Sequence, residues 1–156
     1  MNITVKRILL AEDSDRDAEL TLKALAQHNL VNEIERARDG AEALDYLCRR
    51  GQFSNRPDGN PTVVLLDLKM PKMDGLEVLR QIRSDPQLKL IPVVVMTSSR
   101  EEQDVVRSYE LGANAYVVKP VTFKEFVEAV KQVGVFWALV NEPPPEVQAG
   151  VKPHAS

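Results

Sequence analysis

Five side chains carry the chemistry legible in this sequence: the acidic pair Glu12-Asp13, then Asp67, Thr97 and Lys119. Each follows a short apolar run: Ile8-Leu9-Leu10-Ala11 before the acidic pair, Val63-Val64-Leu65-Leu66 before Asp67, Val93-Val94-Val95-Met96 before Thr97, and Tyr116-Val117-Val118 before Lys119. Carboxylates gathered in one place repel, and at least one is pushed toward its protonated form unless a cation screens them. A hard divalent ion such as Mg²⁺ fits that need, because it takes a few carboxylate oxygens, keeps waters and completes its shell with phosphate oxygens. Together with a hydroxyl and an ammonium, the acids point to phosphoryl chemistry. A carboxylate can itself be the nucleophile and form an aspartyl-phosphate, while metal and ammonium neutralise charge on the transferring oxygens. Asp67, at the end of the central run, is the expected nucleophile. The plainer alternative is a structural ion pair between Asp67 and Lys119, since a carboxylate ending a buried strand is costly to leave unpaired.

For these residues to meet, the apolar runs must be neighbouring strands of one sheet. Runs rich in β-branched residues alternate with helical periodicity, the pattern of a parallel sheet covered on both faces, and the loops beyond the carboxyl ends of such strands form the functional crevice. The expectation is an α/β doubly wound fold of five βα units. A weaker strand, Ile34 to Arg38, mixes apolar and charged residues in a way that suits a sheet edge. Ser14 with Asp17, Ser99 with Glu102, and Thr122 with Glu125 read as helix-start patterns, Asp74 as a cap, and Val121 with Phe126 as a hydrophobic staple. Ala41, Leu44 and Cys48 share a helical face, with Gly51 expected to close that helix, and Gln52 to Pro61 reads as a solvent loop.

Composition narrows the function classes. The 156 residues carry 20 Lys+Arg against 23 Asp+Glu, a net charge of -3, which disfavours bulk binding to nucleic acid or to an anionic membrane. Cys48 is the single cysteine and His28 and His154 the only histidines, so cysteine metal clusters and a Ser-His-Asp triad are disfavoured. The first residues lack an export signal and no run is long enough to span a bilayer, so the expectation is a cytoplasmic protein. The domain expected is 1–140, with 141–156 a Pro-rich flexible tail.

Four motifs in this order carry a resemblance: Leu9-Leu10-Ala11-Glu12-Asp13, Leu65-Leu66-Asp67 through Lys69-Met70-Pro71 to Asp74-Gly75, Met96-Thr97-Ser98, and Tyr116-Val117-Val118-Lys119-Pro120. The chain resembles the receiver domain of bacterial two-component response regulators over roughly Lys6 to Val133. The resemblance implies a flavodoxin-like (βα)5 fold with strand order 2-1-3-4-5. It implies that Asp67 takes a phosphoryl group from a histidine kinase, or from a small donor such as acetyl phosphate. Glu12 and Asp13 would hold Mg²⁺ with Asp67 and the backbone carbonyl of Lys69. Thr97 would be the switch hydroxyl, Lys119 the ammonium that pairs with the phosphoryl group, and Tyr116 the aromatic that swings inward with Thr97. A cis Lys119-Pro120 bond is expected, and the positions of Lys69 and Ser99 tune rates in this family. The stretches Glu12 to Leu20 and Arg38 to Leu47, with the long loop before the third strand, are similar to the stand-alone regulators paired with bacterial phytochromes. That likeness implies a phytochrome histidine kinase as input.

The run Val135 to Val140 is apolar on every face, so it either folds back over its own domain or buries itself against a partner; the second makes Phe136, Trp137 and Val140 candidates for a two-fold homodimer contact. Output is expected through protein contacts, including phosphate relay to a histidine phosphotransfer protein, with self-phosphorylation and self-dephosphorylation as the only catalysis. The alternative is a Mg²⁺-dependent phosphatase with an aspartyl nucleophile. Enzymes of the haloacid-dehalogenase type have Asp-x-Asp there, and Asp67-Leu68-Lys69 lacks the second acid. A nucleotide-binding module is disfavoured because no Gly-rich phosphate loop follows any strand.

Overall fold

The apolar runs become the strands of one parallel sheet. The computed structural model describes residues 6–26, 32–98 and 102–134. In chain order the elements are β1 (Lys6–Ala11), α1 (Asp15–Ala26), β2 (Asn32–Ala37), α2 (Gly40–Cys48), a 3₁₀ turn (Gly51–Phe53), β3 (Val63–Asp67), α3 (Gly75–Ser84), β4 (Val93–Thr97), α4 (Glu102–Glu110), β5 (Ala115–Val118) and α5 (Phe123–Gln132). The five strands lie in the order β2-β1-β3-β4-β5, all pairs parallel, which is the doubly wound arrangement expected from the sequence. Every residue of β3 and β4 is buried, as near-continuous apolar runs require when helices cover both faces of a sheet.

Alternation along the strands divides the core into two layers. Leu9, Val64, Leu66 and Val95 face Leu44 and Leu47 of α2 and Val78, Leu79 and Ile82 of α3. Ile8, Leu10, Leu65 and Met96 face Ala18 and Leu25 of α1 and Phe126 and Val130 of α5. Fully burying each such aliphatic or aromatic side chain contributes roughly 1.5–3 kcal/mol, so the two layers anchor the strand ends on which the chemistry sits. Among the described residues, no helix is long and apolar enough to cross a membrane.

The helix starts follow the sequence reading at Ser14, Asp74 and Thr122, whose side-chain oxygens accept from the N–H groups of Asp17, Glu77 and Glu125 at 3.1, 2.9 and 3.1 Å. Asp39 caps α2 in the same way, accepting from Glu42 N–H at 2.8 Å. The end of α2 departs from expectation. Arg49 (φ 55°) takes the left-handed position, and Gly51 opens the following 3₁₀ turn instead of closing the helix. The left-handed turn lets the Arg49 and Arg50 N–H groups donate to the Tyr46 and Asp45 carbonyls at 3.2 and 2.8 Å, and the Arg49 guanidinium is held by Asp58 at 3.2 Å and by the Arg56 carbonyl at 3.1 Å. The buried stripe of α2 is Ala43, Leu44, Tyr46 and Leu47, with Ala41 and Cys48 only half-buried. Gly40 is seated against the Met73 backbone, Tyr46 packs edge-on against Phe53, and Cys48 still packs against this layer of the core beside buried Leu44.

The segment Gln52 to Pro61 is mostly exposed, as a solvent loop should be, but Phe53 and Arg56 are half-buried, Pro61 is buried, and the loop is pinned. Arg56 donates to the Tyr46 and Leu47 carbonyls at 2.6 and 3.3 Å and to those of Pro57 and Gly59 at 2.8 and 2.9 Å, with its guanidinium 4.4 Å from the Tyr46 ring centroid. One side chain therefore binds two carbonyls of the last turn of α2 and folds the loop over them. His28, Ser99, the Ser99–Glu102 capping pattern and everything from Val135 on, including Phe136, Trp137, Val140 and the Pro-rich tail, lie outside the described residues.

Candidate functional site

The carboxyl ends of β1, β3, β4 and β5 meet at one rim, and Lys119 is the residue that joins them. Its Nζ lies 2.5 Å from Glu12 Oε1, 3.1 Å from Asp67 Oδ2 and 3.2 Å from Asp17 Oδ2. Lys119 also donates its backbone N–H to the Thr97 carbonyl at 2.9 Å, which ties the end of β5 to the end of β4. The Lys119-Pro120 peptide is cis, as expected.

Glu12 is fully buried and is positioned through both backbone and side chain. Its N–H donates to the Ala37 carbonyl at 3.0 Å, and its Oε2 accepts from Ser14 N–H at 3.2 Å. Asp13, the next residue, is exposed, so its carboxylate is placed by the backbone that carries it. Asp67 is buried at the end of β3, and its Oδ1 accepts from Lys69 N–H at 3.3 Å. Carboxylate oxygens of Glu12, Asp13 and Asp67 all lie within 4.8 Å of one another.

Burial is the main reason that the Glu12 carboxyl is pushed up to about 7; the Lys119 ammonium opposes the rise and the Asp67 carboxylate adds to it. Burial would lower the Lys119 ammonium, but Glu12 and Asp67 outweigh it and hold that group above the ordinary lysine value. A donor set of three close carboxylates with a carboxyl so destabilised in its charged form fits a hard divalent cation, which would relieve the repulsion that one ammonium leaves uncompensated.

The loop after Asp67 is shaped by Gly75. A Cβ there would lie 2.1 Å from the Asp67 carbonyl oxygen and 2.7 Å from Leu68 Cα, and the Gly75 N–H donates to the Leu68 carbonyl at 2.8 Å. Asp74-Gly75 is thus cap and turn, as read from the sequence, and a close backbone approach as well.

All five chemistry-bearing residues reach the same rim. Thr97 is buried at the end of β4 beside Asp67's strand, whereas Tyr116 faces outward, packed edge-on against Tyr109 with ring centroids 6.0 Å apart. Two residues escaped the sequence reading. Asp17 enters the sequence pattern only as part of a helix start, yet in the first turn of α1 its carboxylate reaches the Lys119 ammonium. Arg36 was read only as an edge-strand charge, yet it donates to the Glu12 carbonyl at 3.0 Å and the Asp13 carbonyl at 3.2 Å and pairs with Asp15 at 2.7 Å. No local pattern marks such a contact across 24 residues of sequence.

Known proteins are similar to this chain in sequence and fold. Residues 8–131 match the response regulator receiver domain family. The chain is 61% identical in sequence to the bacteriophytochrome response regulator AtBRR, with 90% of this chain and 100% of that one aligned at a TM-score of 0.82. It is 55% identical to the bacteriophytochrome response regulator RtBRR, over 98% of this chain and 100% of that one at a TM-score of 0.81. Response regulator Rcp1 of Synechocystis sp. is 42% identical over 132 residues, 85% of this chain and 88% of that protein. Rcp1 has also been solved in a Mn²⁺-bound form, which matches with a TM-score of 0.72 at 41% identity over 90% of this chain and 99% of that one. The chain belongs to the response regulator receiver domain family.

Proposed function

We propose that Asp67 accepts a phosphoryl group from a phosphohistidine of a histidine kinase, with Mg²⁺ held by Glu12, Asp13, Asp67 and the Lys69 carbonyl. The observation that carries this reading is the Lys119 ammonium, placed 3.1 Å from Asp67 Oδ2 in a rim where three carboxylates converge. In the transfer an Asp67 carboxylate oxygen forms the new O–P bond while the donor's N–P bond breaks and its electron pair returns to the imidazole. Bound Mg²⁺ supplies positive charge for the transferring oxygens. Lys119 does the same from the protein side and keeps its proton throughout, since its neighbours favour the charged form. Thr97, at the end of the adjacent strand, is the hydroxyl expected to bond the phosphoryl oxygen, and Tyr116 the aromatic expected to follow it inward from its outward position. Such a change biases a surface between two packings and is read by a partner.

Likeness to the bacteriophytochrome response regulators AtBRR and RtBRR supports a phytochrome kinase as the donor. The same reading places the protein in the cytoplasm, where kinases draw on ATP, and makes a histidine phosphotransfer protein a further acceptor of the phosphate. The dimer contact through Phe136, Trp137 and Val140 is proposed on their sequence pattern. The phosphatase alternative is not favoured: its second acid would stand at position 69, and Lys69 has no carboxyl to serve as the proton donor.

Phosphotransfer from a purified, radiolabelled bacteriophytochrome kinase tests the reading. Label passing to the wild-type protein within minutes in Mg²⁺ supports it. Failure to accept label from a phytochrome kinase, with ready labelling by acetyl phosphate, would keep the phosphoacceptor and remove the phytochrome.

A further inference from the structure

Arg36 is mostly buried although it lies on the edge strand β2, where it stands opposite Leu10 in the pairing with β1. Its guanidinium reaches past the strand end to two carbonyls of the β1–α1 loop and to the first residue of α1. Nε donates to the Glu12 carbonyl at 3.0 Å, one terminal nitrogen donates to the Asp13 carbonyl at 3.2 Å, and the other bonds Asp15 Oδ1 at 2.7 Å. The next residue of the same strand holds the loop too, since the Ala37 carbonyl accepts from Glu12 N–H at 3.0 Å. Both peptide groups flanking Glu12 are therefore fixed by β2, and so is the carbonyl that follows Asp13. Asp13 is exposed, so backbone fixing, not packing, decides where its carboxylate points.

We propose that Arg36 is a positioning residue for the divalent-cation site: its planar fork holds the successive carbonyls of Glu12 and Asp13 so that both carboxylates face the ion together with Asp67. This rests on the metal-dependent phosphoacceptor reading above.

Two effects of opposite sign decide what its loss would do. Removing a guanidinium near a cation site removes repulsion and would tighten binding; releasing two charge-assisted backbone bonds loosens the loop and would weaken it. Asp15 already neutralises the guanidinium at 2.7 Å, and the residual field is screened over about 8 Å at physiological salt, so loosening is the larger effect. A lysine cannot replace this geometry, because one ammonium on a flexible stem does not span two carbonyls and a carboxylate.

The test uses the full chain, with Mg²⁺ binding measured by titration calorimetry at about 0.15 M salt. In parallel, the initial rate of phosphorylation by acetyl phosphate is followed against Mg²⁺ concentration. Arg36→Gln is expected to raise the Mg²⁺ dissociation constant and the half-saturating concentration by about tenfold, on the scale of a lost charge-assisted hydrogen bond. The rate at saturating Mg²⁺ stays within about twofold of wild type, because Asp67 and Lys119 keep their contacts. Arg36→Lys recovers only part of the affinity, and the charge-neutral double variant Arg36→Gln with Asp15→Asn stays weak. Wild-type affinity in Arg36→Gln, full rescue by Arg36→Lys, or restored binding in the double variant would each overturn the positioning role. If circular dichroism shows Arg36→Gln unfolded, Arg36→Lys carries the test alone: binding at least threefold weaker is expected, and unchanged binding overturns the proposal. A wild-type protein that binds no Mg²⁺ and takes no phosphate contradicts the phosphoacceptor reading itself, whereas wild-type function shared by the variant contradicts only the role of Arg36.

Discussion

Lys119 Nζ stands 3.2 Å from Asp17 Oδ2 on α1 while it also pairs with Glu12 and Asp67 at the strand ends. The ammonium is shared among three carboxylates, two of them buried and one part-exposed, and these contacts are not equal in consequence. Glu12 and Asp67 lie in the low-dielectric rim, where a charge counts most; Asp17 is partly in water and its pull is screened.

Removal of Lys119 is therefore expected to cost far more than removal of Asp17. Lys119→Ala should slow acetyl-phosphate-dependent labelling by about 10²-fold, the scale for loss of one preorganised charge-stabilising group. Asp17→Asn should stay within about threefold of wild type, as a part-exposed ion pair contributes little. Initial rates followed by intact mass distinguish the two.

The raised Glu12 carboxyl sets a pH dependence for the metal-free protein. A carboxyl held at about 7 when folded, against about 4.5 when unfolded, binds its proton more tightly in the folded state. Its contribution to stability is fully present below about pH 4.5 and is lost as pH rises through about 7. Denaturant titrations in chelator from pH 5 to pH 8 should thus show stability falling by an amount on the order of 1–3 kcal/mol in wild type, and by distinctly less in Glu12→Gln.

Gly75 fixes the loop beneath the phosphoacceptor by letting backbone approach backbone. A methyl group there meets the Asp67 carbonyl oxygen at 2.1 Å, and neither partner is a side chain able to swing away. Gly75→Ala should destabilise by about 2–4 kcal/mol, read as a lower denaturation midpoint at unchanged slope.

Arg56 gives the opposite separation of stability from chemistry. Its guanidinium binds two carbonyls of the last turn of α2 and lies 4.4 Å over Tyr46, away from the rim that Lys119 joins. Arg56→Ala should cost about 1.5–3 kcal/mol of stability and leave the phosphorylation rate unchanged.

These residues mark what the sequence could and could not disclose. The sheet and the convergence of Glu12, Asp13, Asp67, Thr97 and Lys119 were legible because each ends a short apolar run, and a parallel sheet places such ends on one side. Helix starts at Ser14, Asp74 and Thr122 were legible because a cap is a local bond within three residues. Arg49 in the left-handed position, the Arg56 anchor and the Arg36 clamp were not, since each depends on partners brought near only by the fold, and an arginine carries no periodicity that points to them. Asp17 was half legible: its capping pattern was visible, and its ion pair with a lysine 102 positions later was not.

The most direct test of the account is intact mass after incubation with acetyl phosphate and Mg²⁺. One phosphate is expected on the wild-type protein, abolished by chelator, and none on Asp67→Asn. Labelling that survives in Asp67→Asn, or a wild-type protein that stays unmodified with Mg²⁺ present, would contradict it.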